Sequence, residues 1–193
     1  MKLRFIITSI FFMVITSATI YAGFFPIASV NSDWIWYRDI TKSARAIKQL
    51  QRTSSGAGLP SLLETTTLSA LSASDIQRGV LEELMYEKMI AQELERIDSS
   101  QDWDQRVARD VEGLLTGRDN AALKQATREL YRLDLDDFKK LVLAPQIREE
   151  LLRKELALRA KDPEGWLTAA FQNARVKIYF LDYEWRDGRL INI

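Results

Sequence analysis

Apolar residues recur every three to four positions along most of this chain, from Tyr37 to Asn173, and near the two ends the period drops to two. Ile40, Ala44, Ile47 and Leu50 share one face and predict a helix from Tyr37 to about Arg52. Thr53-Ser54-Ser55-Gly56-Ala57-Gly58-Leu59-Pro60 reads as a loop by composition. Ser72-Ala73-Ser74-Asp75 is a capping box, opening a helix with Ile76, Val80, Leu84, Met85, Met89 and Leu94 on its apolar face. Ser99-Ser100-Gln101-Asp102 caps a further helix bearing Trp103, Val107, Val111 and Leu114, which Gly117 should terminate. A shorter helix follows over about 120–131, with Leu123, Thr127 and Leu130.

Asp134 then caps a long helix carrying Leu135, Phe138, Leu141, Val142, Ile147, Leu151, Leu152 and Leu156. Pro145 lies inside it and should kink it, because proline removes one backbone hydrogen bond. Asp162-Pro163-Glu164 starts a helix that buries Trp166 and Leu167, by its cap, its proline at the first position and its first-turn acid. Beyond it Val176–Leu181 alternates as a strand, and Asp187-Gly188 marks a hairpin turn between Tyr183-Glu184-Trp185 and Leu190–Ile193. At the other end Ile27–Val30 and Asp33–Trp36 flank an Asn-Ser-Asp turn. A lone hairpin is marginal in water, so the two ends are expected to share one small sheet. The fold expected is mainly α, a single domain of five to six helices closed by N- and C-terminal strands.

The first residues change the picture. Lys2 and Arg4 precede an uncharged stretch that lasts until Asp33. The 18 residues from Phe5 to Ala22 reach about 27 Å as a helix, close to the ~30 Å of a bilayer core. With the positive end inside, the rest of the chain belongs on the far side. A cleaved signal peptide is the rival reading. Its apolar region would be shorter, and Thr16-Ser17-Ala18 is the best cleavage sequence. The expected organisation is a signal anchor over residues 1–24 and an extracytoplasmic domain over 25–193, in a single-pass inner-membrane protein.

Composition removes many functions. The 193 residues include 27 basic and 27 acidic side chains and neither His nor Cys. A neutral chain without a basic stripe does not suit nucleic acid. Without Cys there is no disulfide, thiol nucleophile or thiolate metal site, and without His the commonest general base and metal ligand are missing. The acidic groups Asp134, Asp136 and Asp137 sit at a helix start, where the dipole favours them, and Glu149 and Glu150 pair along a helix with Arg153 and Lys154. No phosphate loop, nucleophile elbow, calcium loop or dinucleotide motif occurs, so neither enzyme activity nor a cofactor is expected. Met85, Met89, Trp103, Tyr131 and Phe138 are the candidate polypeptide-binding residues, since Met and aromatic side chains adapt to varied apolar partners. The plainer reading places each of them in the core, and periodicity alone does not decide between the two.

The segment Pro26-Ile27-Ala28-Ser29-Val30-Asn31-Ser32-Asp33-Trp34-Ile35-Trp36-Tyr37-Arg38-Asp39 resembles the entry of SurA/PrsA/trigger-factor-like chaperone domains. Leu81 to Leu94 is similar to that family's Leu-rich helix, Leu130 to Ile147 to the next helix pair with its internal proline, and Trp166-Leu167 with Ala174–Tyr179 to the closing helix and strand. The resemblance covers most of residues 25–182 and rests on the order and spacing of individually weak motifs. It departs from the family in having Asn31-Ser32 where an Asn-Gly turn is usual. It also lacks the parvulin-type prolyl isomerase insert, because Leu158-Arg159-Ala160-Lys161 runs straight into Asp162-Pro163. The resemblance implies a helical domain built from both chain ends and a membrane-anchored chaperone that holds unfolded exported polypeptides without isomerase activity. Burying about 300–400 Å² of client would yield roughly 8–10 kcal/mol gross, much of it lost to ordering, so binding stays exchangeable. The alternative is an envelope assembly protein that docks one dedicated partner.

Overall fold

The computed structural model describes residues 23–56 and 72–193. Two strands open the body, β1 (Pro26–Val30) and β2 (Asp33–Trp36), followed at once by helix α1 (Tyr37–Gly56). Then come α2 (Ala73–Ile97), α3 (Trp103–Leu115), α4 (Asn120–Tyr131) and the short α5 (Leu135–Phe138). A π-helical turn (Lys139–Leu143) joins α5 to α6 (Ala144–Leu158), so the three pieces form one continuous helix. Helix α7 (Pro163–Asn173) leads into β3 (Val176–Ile178) and the hairpin of β4 (Tyr183–Arg186) and β5 (Arg189–Asn192). This is the mainly helical domain with small antiparallel sheets that the sequence predicts. Among the described residues no helix is long and apolar enough to cross a membrane, and the run from Phe5 to Ala22 lies outside them.

The helix starts follow the sequence closely. Ser72 Oγ accepts from the Asp75 N–H at 3.1 Å while Asp75 accepts from the Ser72 N–H at 3.1 Å, the reciprocal pair of a capping box. Asp102, Asp119, Asp134 and Asp162 each accept first-turn N–H groups, which have no partner within the helix. One expectation needs correction. Helix α1 runs on through Thr53, whose hydroxyl donates to the Gln49 and Leu50 carbonyls, and it ends at Gly56. Residues 53–56 of the expected loop are thus helical, and its residues 57–60 lie outside the described residues. The helix around Pro145 takes up the missing N–H in a π turn just before the proline, where the Ala144 N–H reaches back to the Lys139 carbonyl.

The two chain ends meet in one sheet, of order β2-β1-β3 and antiparallel throughout. Ala28 faces Ile35 on one side and Ile178 on the other. Asn31 (φ 50°) and Ser32 (φ 88°) turn the first hairpin with both central residues at positive φ, the primed turn whose twist suits a hairpin. Asn31 is also the pin of the closure. Its backbone N–H donates to the Arg175 carbonyl at 2.9 Å, its Oδ1 accepts from the Arg175 N–H at 2.9 Å, and its Nδ2 donates to Gln92 of α2 at 2.9 Å. Gln92 in turn donates to the Val30 carbonyl at 3.0 Å and to Asp33 at 2.8 Å.

Two apolar cores share α2. Its N-terminal half contributes Ile76, Val80, Leu81, Met85 and Met89 to a core beneath the sheet, with Ile27, Val30, Ile35 and Ile40. Its C-terminal end contributes Ile90 and Leu94 to a second core with α3 (Trp103, Val107, Val111) and α6 (Leu151, Leu152, Leu156). Trp166 of α7 packs against both.

The turn yields a prediction. Ser32→Gly removes the cost of a left-handed backbone at a residue with a Cβ and should stabilise the protein by about 1 kcal/mol. Asn31→Gly keeps the turn but takes away the side-chain bonds to Arg175 and Gln92, and should cost roughly 1–3 kcal/mol. Urea unfolding midpoints of the two variants decide, and an unchanged midpoint for Asn31→Gly would mean that these bonds do not hold the closure.

Candidate functional site

The five residues expected to bind polypeptide do not come together. Met85 is fully buried (0 % exposed) and Met89 nearly so (3 %), both in the core under the sheet. Met89 shows only an edge, to a shallow pocket beside Trp166. Trp103 is buried in the second core, with its indole N–H donating to the Asp98 carbonyl at 3.0 Å. Tyr131 and Phe138 are half-buried and pair with each other, ring centroids 5.2 Å apart, where α4 meets α5. Burial therefore corrects the reading of Met85 and Met89 as a binding surface. Their apolar spacing is a core spacing, because α2 is covered on two sides. Trp103 alone of the five borders the groove described next.

That groove, about 590 Å³, runs between β2, α2, the start of α3 and the π turn. All four residues of β2, Asp33 to Trp36, line it. Strand β2 is the outer strand of its sheet, so the groove follows an open strand edge. Every other residue of such an edge aims its N–H and C=O away from the sheet. The signal for this lay in the spacing of Trp34 and Trp36, two residues apart and therefore on one face of a strand, where both stay exposed.

The walls are charged and largely fixed by ion pairs. Arg148 of α6 binds Glu87 of α2 and, at 2.8 Å, Asp104 of α3. Lys140 of the π turn reaches Asp39 of α1 at 3.2 Å. Six carboxylates line the groove against three cations, which makes its field negative. Burial pushes the Glu87 carboxyl above its ordinary value of 4.5 in spite of Arg148, Lys88 and Lys140 nearby. On the same face of α2, burial and the charges of Glu149 and Glu87 raise Glu83, and burial with Glu149 pushes the Tyr86 hydroxyl up to about 12. Glu93 goes the other way. Arg96 holds it with two hydrogen bonds of 2.7 and 2.6 Å, and its carboxyl titrates below the ordinary value.

Among the described residues no group of three or more acidic side chains is placed to hold a metal ion, and every buried side-chain nitrogen and oxygen has a hydrogen-bond partner. The groove offers instead an edge for backbone pairing, flanking indoles and a negative field. No protein family model, no curated protein and no solved structure matches this chain.

Two predictions come from these groups. The lowered Glu93 contributes stability that is complete above its unfolded value of about 4.5 and is lost as the pH falls through its folded value. The raised Glu87 has the opposite sign: the folded state keeps a proton that the unfolded state releases, so stability falls as the pH rises through that window. Urea midpoints between about pH 3 and about pH 8 should therefore show the deficit of Glu93→Gln shrinking toward acid. Over the same range Glu87→Gln should gain on the parent protein toward neutral pH. Separately, Met85→Ala should cost about 2–5 kcal/mol by opening a cavity in a full core, readable as a lowered midpoint.

Proposed function

We propose that this chain is a membrane-anchored, extracytoplasmic, chaperone-like protein that holds exported polypeptides in an extended form, without isomerase activity. One observation carries the reading: a negative groove of about 590 Å³ that follows the open edge of β2 between Trp34 and Trp36. An extended client adds to the edge of β2 through its backbone, which asks nothing of its sequence. The indoles of Trp34 and Trp36 take its apolar side chains, and the surplus carboxylates favour segments bearing Lys or Arg. Exchange needs no cofactor, because the gain from a few backbone bonds and partial apolar burial is offset by the ordering of the client. The likeness of the chain's motifs to SurA-type domains supports the same reading.

A second reading draws on the walls of the groove. Arg148 ties Glu87 of α2 to Asp104 of α3, and Lys140 separately ties the π turn to Asp39 of α1, so this part of the surface is pre-formed. A fixed polar wall suits one dedicated envelope partner better than many clients.

The full chain in lipid nanodiscs, mixed with a chemically unfolded client on dilution, separates the two. Suppressed light scattering relative to empty nanodiscs is expected, weakened several-fold by Trp34→Ser with Trp36→Ser, and weakened also by salt because the groove is charged. No suppression at excess chain overturns the general holdase and leaves the single-partner reading, which crosslinking from the groove then tests.

A further inference from the structure

Exposed aromatic rings are gathered where the described chain begins. Phe24 is 50 % exposed and lies under the Arg38 guanidinium, 4.5 Å from ring centroid to charge. From Phe25 a continuous series of ring contacts runs outward. Phe25 stacks on Tyr37 at 4.8 Å and meets Phe180 edge-on at 6.4 Å, Phe180 meets Tyr179 at 6.5 Å, and Tyr179 meets Trp34 at 6.0 Å. Phe180 is 86 % exposed and has a φ of 60°. A bulky side chain in the left-handed region is strained, and here the strain holds a large apolar ring out in solvent. Neither burial nor backbone preference accounts for that placement.

The collar is tied to the exit point of the chain. The Arg38 N–H donates to the Gly23 carbonyl at 3.2 Å and the Tyr37 N–H to the Phe25 carbonyl at 3.1 Å, so residues 23–25 are fixed on the body. The 18 uncharged residues from Phe5 to Ala22 lie immediately before them in the sequence. No linker separates the two. If that run spans a bilayer, Phe24 and Phe25 lie within the headgroup layer, since the whole interface is only about 5–8 Å deep on each side. Beside the collar, the outer face of the sheet carries a pocket of about 510 Å³ lined by Trp34, Tyr179, Arg175 and Lys177 and by no carboxylate. Aromatic rings flanked by cations match the chemistry of a membrane–water interface with anionic phosphates.

We propose that the collar of Phe24, Phe25, Tyr37, Tyr179 and Phe180 seats the body directly on an anionic bilayer surface, with Arg38, Arg175 and Lys177 on lipid phosphates. The inference rests on the reading of the N-terminal run as a membrane segment and adds a second, independent contact. It fixes how the body stands: a domain held at one point could tumble, whereas a seated one presents the β2 groove at a constant height, because Trp34 lines both the groove and the pocket beside the collar.

The test uses the full chain reconstituted into vesicles containing phosphatidylglycerol. The chain has no Cys, so Phe180→Cys and, as a control on α3, Ala108→Cys each accept one environment-sensitive fluorophore. The expected result is a blue-shifted label at 180 that headgroup-level nitroxide lipids quench several-fold more than the label at 108. Equal, solvent-like labels in a chain that floats with the vesicles and resists alkaline carbonate overturn the seat and leave the anchor standing. Quenching at 180 in a chain that carbonate extracts upholds the seat and removes the anchor. A shifted label that follows protein density and ignores nitroxide assigns the collar to a second copy and overturns the proposal. So does a chain that fails to float.

Discussion

Strand β1 has to pair on both sides, and the rest of the body depends on it. It joins β2, its neighbour in sequence, to β3, which arrives only after all the helices, and Asn31 bonds across 144 positions to Arg175. The entropy of closing so long a loop grows only with the logarithm of its length, so the contact is affordable at any size of helical insert. What secures it is burial: Ile27, Ala28 and Val30 are 0–1 % exposed, sandwiched between strands and α2. Because β3 is fixed in this way, α7 before it and the β4–β5 hairpin after it are laid over the same core, where Leu190 and Trp185 pack. Residues 23–25 are positioned by the same closure, through the Tyr179 N–H bond to the Ile27 carbonyl on one side and the α1 N-terminus on the other.

Helix α2 is the other shared part. It must be apolar on two faces, since its first half closes the core under the sheet and its second half the core of α3 and α6. This explains why Met85 and Met89 stand where they do. A flexible unbranched side chain fills the irregular space between strands and helices that a branched one would leave partly void. It also explains Glu93, a carboxylate only 8 % exposed at the junction of the cores, which is held charged by the fork of Arg96.

Much of this fold could be read in the residues, and the misses have physical causes. The Asp caps at 102, 134 and 162, the capping box at Ser72, the Pro163 start and the Asp187-Gly188 turn are local signals, decided by two to four residues each, and the structure follows them. The union of the chain ends required only that a lone hairpin is weak. The end of α1 was hidden because Thr53 can bond to its own helix as easily as to a turn. The π turn was hidden because Pro145 says that a bond is lost, not how the helix will absorb the loss. The site was least legible. Periodicity shows that Met85 lies on an apolar face and cannot show that a second layer covers that face. The groove is made by elements up to a hundred residues apart, such as Asp39 and Lys140, whose meeting no local pattern records.

The π turn links these levels. Proline at 145 lacks the N–H that would serve the Leu141 carbonyl, and its ring would collide with that carbonyl in a regular helix. Widening the turn over Lys139–Leu143 relieves both problems without breaking the helix. Its consequence falls on the groove, because Lys140 and Leu141 of this turn are part of the wall, and Arg148 one turn below the proline carries the pairs to Glu87 and Asp104. A straight α-helix from Leu135 to Leu158 would rotate the residues before the proline relative to those after it. The π turn thus sets the bearing of Lys140 on Asp39 relative to that of Arg148 on Glu87. A backbone irregularity that costs the helix some regularity therefore sets the charged wall that faces the open edge of β2.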